Sequence, residues 1–587
     1  MRSSKPPSNT GTNIRRYICN MLKFPEMPYE RPDIEAAKQF LAQAAARLEA
    51  AESFEAADAV FVEVNGRSTQ LDTMFTISHI RHDINTEDKF YDAEVEFADA
   101  ALPELQEYAD RWNRALVFSR WRPGLEEKYS RVAFLNKELA LRAFSPEIVP
   151  ELQRENALCT EYSKLLASAQ IEFEGGVYTL SQLTPFKQDP DDKRRLAAWK
   201  AEGAWYMSHA EKLDSIYDEL VRLRDTMGKK LGHEGYVPLG YDRMQRNCYT
   251  KEDVESFRKA VVKHIVPLAD AVYRRQAERL GKAYPMNYAD NALEFRSGNP
   301  KPQGTPDDIL AAGRRFYHEL SPETAEFIDF MYDNELLDVL SRKGKAGGGY
   351  CTTLGSYHCP FIFANFNGTS HDVEVITHEA GHAFANFTGR FIVPGECQWP
   401  SLEACEVHSM SMEFFAWPWA EYFFGPDTRK FRYTHLSGAL TFIPYGTMVD
   451  HFQHLVYEKP EMSPAERNEA WRELTAVYMP WMRLDDIPFY GEGRAWQRQH
   501  HIYESPFYYI DYCLAQTVSL QFWAEIQKDS KAAWEKYMAY TSPAGTKTFK
   551  ELVAGAGLDS PFGEEAMRTI AGAAGKWLES YDLTGIE

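Results

Sequence analysis

The sequence has no apolar run long enough to cross a bilayer. Its beginning is polar, and Ile14 to Phe24 is broken by Arg15, Arg16, Asn20 and Lys23, so no signal peptide is expected. Basic clusters are lacking as well. With 65 Lys and Arg against 86 Asp and Glu, the formal net charge is -21. No stretch concentrates the cations that a nucleic-acid backbone requires. The Gly-x-x-x-x-Gly-Lys-Ser/Thr order of a phosphate loop is missing. None of the eight cysteines belongs to a Cys-x-x-Cys pair. They are expected to be reduced, mostly buried thiols of a cytoplasmic protein.

Aromatic residues, by contrast, are plentiful, and 587 residues suffice for a large core. Residues 1–28, rich in Ser, Pro, Asn and Gly, are expected to form a loose tail. Helical periodicity follows over Pro32–Val62, Glu87–Trp121, Leu125–Phe144, Pro150–Glu172 and Asp191–Leu231. The pattern changes at Lys343 to Tyr350, whose four glycines exclude a helix interior. Phe361 to Phe366, aromatic and β-branched, reads as a strand. Asn367-Gly368-Thr369-Ser370 reads as a turn with capping residues. A helix is expected from His371 to Thr388, stopped by Gly389. Beyond Ser401 the pattern is helical almost to the end.

That central helix carries His378-Glu379-Ala380-Gly381-His382. Histidines four apart stand one turn apart on one face, so both imidazoles can reach one ion. Glu379 then faces the open side of the metal and can take a proton from water. The bland alternative is a pair of surface histidines. A hydrolytic zinc site needs a third protein ligand and an open position. No third histidine follows at metzincin spacing, so a carboxylate is expected. Glu403, Glu406 and Glu413 compete for that place, and spacing does not separate Glu403 from Glu406. Asp372 either orients a ligand histidine or favours the helix dipole from the first turn.

The motif resembles that of the oligoendopeptidase F and thimet oligopeptidase family, a helical group of zinc metallopeptidases. Its third ligand is the first Glu of a Glu-x-x-Ser-x-x-x-Glu pattern, met here by Glu406, Ser409 and Glu413 and not from Glu403. Pro360 to Thr369 resembles the bacterial oligoendopeptidase F branch. So do Trp496-Gln497-Arg498-Gln499-His500-His501-Ile502 and Pro506-Phe507-Tyr508-Tyr509-Ile510-Asp511-Tyr512. The resemblance implies that His501, Tyr509 and Tyr512 stabilise the transition state, with Tyr508 near the substrate. Composition alone would make the same stretch an aromatic core helix. Gly348, Gly349 and Tyr350 match a loop lining the family's substrate channel. Phe363 and Ala364 would belong to an edge strand against which an extended peptide pairs. His358, His371 and His408 are expected to be structural or peripheral.

The implied protein is mostly α: a helical ellipsoid with a deep channel and a small β-sheet beside the zinc-binding helix. It would comprise the tail, a helical region over 29–189 and a catalytic region over 190–587. One Zn²⁺ on His378, His382 and Glu406 would serve hydrolysis of short, unstructured peptides, although such a donor set also accepts Mn²⁺ or Co²⁺. No nucleic-acid or membrane partner is expected, and the oligomeric state, monomer or homodimer, stays open. Four alternatives stand beside this reading. An aminopeptidase would need Gly-x-Met-Glu-Asn, which is absent, while a dipeptidyl carboxypeptidase-like exopeptidase is separable with end-blocked peptides. A non-catalytic peptide binder could dispense with Glu379. A structural zinc site would have four ligands and more cysteine.

Overall fold

The computed structural model describes residues 22–368, 370–484 and 486–586, and leaves the side chain of His371 aside. The expected tail therefore lies outside the described residues as far as position 21, and Thr369 of the expected turn does too. From Phe24 onward the tail expectation is corrected. Phe24 and Met27 are buried, the Phe24 ring lies 4.4 Å from that of Phe361, and its N–H donates to the Asn334 carbonyl. Two large apolar side chains so close together are anchors, not part of a loose tail.

Helices Ile34–Ala50, Phe54–Ile84 and Lys89–Val117 pack against one another. Each is started by a side chain that accepts a backbone N–H, from Asp33, Ser53 and Asp88 respectively. The cap at Ser53 is why the expected helix over Pro32–Val62 is in fact two. Ser130 likewise splits Leu125–Phe144, and a break at His209 splits Asp191–Leu231. Strands Ile171–Phe173 and Gly176–Tyr178 form a hairpin through Glu174 and Gly175, both at positive φ. The helical reading of Pro150–Glu172 overran into it.

The central sheet has three strands: β1 (Leu337–Leu340), β2 (Tyr350–Leu354) and β3 (Cys359–Phe366). Their order is β1-β3-β2, with β1 parallel and β2 antiparallel to β3. This corrects the placement of Phe361–Phe366 at the edge. Seven of the eight β3 residues are buried, as suits a strand paired on both sides. The two edges of the sheet are the shorter β1 and the half-exposed β2.

After β3 the chain turns, and both oxygens of the fully buried Asp372 accept backbone N–H groups of that turn, from Asn367 and Gly368, each at 2.8 Å. Asp372 thus ties strand to helix and orients no ligand histidine. Ser370–Glu374, a π turn over Val375–Glu379, and Ala380–Gly389 run on as one helix, α1. The helix ends at Gly389, as expected, with an ordinary φ there and a right-handed residue after it. Three further helices complete the frame: α2 (Leu402–Phe415), α3 (Thr428–Glu458) and α4 (Tyr509–Lys528). Helix α4 packs along both α2 and α3, and α1 lies on α2. A Cβ on Gly381 would stand 2.8 Å from the Ser409 Cα and 3.0 Å from the Met412 Cβ. Glycine at that position is what lets α1 approach α2 so closely. Among the described residues, no helix is long and apolar enough to cross a membrane.

Candidate metal centre and catalytic cavity

Helix α1 presents His378 and His382, and α2 presents Glu406 opposite them. The Glu406 Oε2 lies 3.5 Å from the His378 Nε2 and 3.6 Å from the His382 Nε2. Donors about 2.1 Å from a tetrahedral ion stand roughly 3.4 Å apart. The spacing and the donor types, two imidazoles and a carboxylate, therefore fit zinc, and among the described residues this is the one such cluster. The π turn sits directly on the motif, widening the helix where His378 and Glu379 leave it.

The surroundings explain the Glu-x-x-Ser-x-x-x-Glu spacing. One turn beyond Glu406, the Ser409 hydroxyl donates to its carbonyl at 3.0 Å and lies 3.3 Å from its Oε2. Two turns beyond, Glu413 lies 2.6 Å from the His378 Nδ1 and 2.7 Å from the His435 Nε2. The Trp417 indole N–H donates to the His435 Nδ1 at 2.9 Å. Indole has no acceptor, so His435 carries its proton on Nε2 and gives it to Glu413. Glu413 in turn holds the His378 proton on Nδ1, leaving Nε2 to face the metal position. Burial opposes the charge on Glu413, but the two imidazoles outweigh it and bring its pKa down to about 2. Burial also opposes charge on Glu406, and His378 and His382 again prevail, holding it well below the usual carboxylate range. Glu403 is not part of this. It is buried elsewhere, bonded to the Ser401 hydroxyl, and burial raises its pKa.

His378 and Glu379 line a cavity of about 760 Å³, and so do His501, Tyr509 and Tyr512. The expected oxyanion partners are thus brought to the metal side by α4 and the segment before it. The His501 ring lies 4.8 Å from that of Tyr509 and 5.9 Å from that of Tyr512. Burial, helped by the Glu406 charge, pushes the Tyr512 phenol up to about 12, so it remains a proton donor. Burial lowers His501, whose Nδ1 lies 2.9 Å from the Gln499 amide. Tyr508 sits differently, since its hydroxyl donates to the Glu406 Oε1 at 3.3 Å. It therefore steadies a ligand carboxylate.

Phe363 and Ala364 do not serve as expected. Both are fully buried on the central strand, and neither lines the cavity. Gly348, Gly349 and Tyr350 do not line it either. The Gly348 carbonyl accepts from Asn365, and the Tyr350 hydroxyl donates to Asp83 of the N-terminal helices at 2.8 Å. Tyr350 opens β2, one of the two edge strands, and burial followed by the Glu379 charge raises the Cys351 thiol on that strand. His408 is buried and packs on Tyr540, while His358 bonds the Arg390 carbonyl. Sequence reasoning missed His435 and Trp417, and the link from Gln499 to His501.

Two family models match the chain: the Peptidase M3 N-terminal domain over residues 24–144 and Peptidase family M3 over residues 323–572. Among solved structures, PZ peptidase A with an inhibitor is 46% identical, with a TM-score of 0.89 over 95% of this chain and 100% of that one. A candidate oligoendopeptidase F from Bacillus anthracis is 43% identical, with a TM-score of 0.85 over 96% of this chain and 99% of that one. An oligoendopeptidase F from Enterococcus faecium, 15% identical with a TM-score of 0.58 over 93% and 98% of the two chains, shares the fold. No match is found among curated protein sequences.

Proposed function

The chain belongs to peptidase family M3, in its oligoendopeptidase F branch, and from that premise we propose that it is a zinc-dependent endopeptidase acting on internal bonds of short, unstructured peptides. The observation that carries this reading is one cavity lined by His378 of the three-donor cluster, by the Glu379 carboxylate and by three donors at His501, Tyr509 and Tyr512.

His378, His382 and Glu406 would hold the zinc, which when bound would supply Lewis acidity toward a water and the scissile carbonyl. Glu379 takes the proton of the attacking water and passes it to the leaving amine. His501 and the Tyr509 and Tyr512 hydroxyls donate to the oxyanion as it forms, each such donor contributing about 3 kcal/mol. Tyr508 and Ser409 hold the Glu406 carboxylate in place. The unpaired edge of β2 offers main-chain hydrogen bonds to an extended peptide, a mode that asks little of its sequence. A cavity of about 760 Å³ takes a few peptide residues, which supports short substrates. The seven described cysteines are free, which supports a cytoplasmic location.

The test is an internally quenched peptide blocked at both ends. The protein should cut it at an internal bond, lose that activity to a chelator and regain it with Zn²⁺. Cleavage of free-ended peptides alone would favour an exopeptidase, and no cleavage of either kind would leave a peptide binder.

A further inference from the structure

A second cavity of about 440 Å³ adjoins the first, and the two share Gly438, Phe442 and Tyr509 in their walls. Nothing lies within 4 Å of where a Gly438 Cβ would stand, so the junction is open on that side. The annex is lined by aromatic rings, among them Trp199, Tyr288, Tyr445 and Tyr490. In that wall stands one charged side chain, the half-buried Arg498.

Arg498 is placed unlike the other buried guanidinium groups. Arg195, Arg224, Arg246, Arg258 and Arg467 each face a carboxylate, of Asp290, Glu155, Asp511, Asp450 and Asp218, while Arg390 is stacked on Phe387 and lines neither catalytic cavity nor annex. Arg498 donates from Nη1 to two phenols, of Tyr288 and Tyr490, each at 3.2 Å. Among the described residues, no carboxylate lies within ion-pair distance of it. Glu202, reached only through the Tyr490 hydroxyl, is already paired with Lys187. A partly desolvated cation with no carboxylate in direct contact is costly. Its Nε–Nη2 edge, which donates to no described group, is the planar fork that matches a carboxylate. The annex also touches the catalytic machinery, because Gln499 lines it while its amide bonds His501, and the Tyr445 hydroxyl donates to the Gln499 Oε1 at 2.7 Å.

We propose that the annex is a substrate subsite in which Arg498 binds a peptide carboxylate, either the C-terminus or an Asp or Glu side chain, while the aromatic walls cover the residue that bears it. This rests on the peptidase reading above and makes it specific.

The experiment compares kcat/KM within peptide pairs that differ by one charge. In one arm a quenched peptide ends in carboxylate or in amide. In the other, an amide-ended peptide carries Glu or Gln at successive positions around the cut bond. The wild type should prefer the carboxylate member of at least one pair by about tenfold, and the arm in which this appears names the source. Arg498→Met should bring that ratio close to one, and Arg498→Lys should restore part of it. Equal rates within every pair for the wild type would overturn the subsite, as would a preference that survives in Arg498→Met. Equal wild-type ratios refute the subsite even if Arg498→Met does not fold, and Arg498→Lys then carries the assignment. Failure to cut any peptide would instead strike the endopeptidase reading itself.

Discussion

At the scale of single residues, Glu413 shows how the site is set without direct contact with a metal. It accepts from both His378 and His435, and so fixes the proton positions of the two rings. Outer partners of this kind are worth 10- to 100-fold in metal affinity. Glu413→Ala should therefore weaken zinc binding by about 10- to 100-fold, and His435→Ala by less, in a chelator competition assay. Unchanged affinity in both variants would contradict the assigned network. Glu413 was legible in the sequence because its spacing from Glu406 keeps it on the same helical face. His435 was not, since it lies 22 positions further on in another helix and meets Glu413 only through the tertiary fold. Tyr508 was legible as a site residue but not in its role, because three neighbouring tyrosines differ only in direction around the start of α4.

At the scale of elements, the approach of α1 to α2 rests on Gly381. An alanine there would meet main-chain atoms, which cannot rotate away, and overpacking of this sort costs about 1–3 kcal/mol. Gly381→Ala should lower the melting temperature and also the zinc content, since moving α2 moves Glu406. A variant that keeps both would show that the helices can part freely. The strand before α1 was legible as a strand from its β-branched and aromatic run, but its place in the sheet was not. Pairing on both sides depends on Leu337–Leu340, which lies before β2 in the chain and crosses over to pair with β3 in parallel register. The edges therefore fall to β1 and to β2, a strand that the glycine-rich composition ahead of it concealed.

At the scale of the whole molecule, the mostly helical architecture followed from periodicity, whereas the helix breaks at Ser53, Ser130 and His209 were set by local caps and packing that periodicity does not register. The interior also carries an acid liability. Burial lowers His451 from the ordinary 6.5 to about 4 and His454 well below 6.5, with the Arg258 charge adding to both. Arg246 and Lys251 also bear on His454, while Glu458 opposes the shift at His451. Both rings are neutral when folded, so the unfolded chain binds protons first as pH falls. The contribution of these two rings to stability should thus be full above pH 6.5 and decline from there towards pH 4, by about 1.4 kcal/mol per pH unit for each proton taken up, while the buried carboxyls of Glu294 and Asp72, raised to about 7 and about 6, oppose it. Urea unfolding midpoints between pH 7 and pH 5 check this, and His454→Gln should flatten the decline. The central claim is that this fold brings water, metal and Glu379 together for hydrolysis. The most direct measurement is cleavage of the end-blocked peptide by Glu379→Gln, with zinc content determined alongside. The account predicts full zinc occupancy and a rate about 10³-fold below wild type, and a zinc-loaded variant that cuts at the wild-type rate would contradict it.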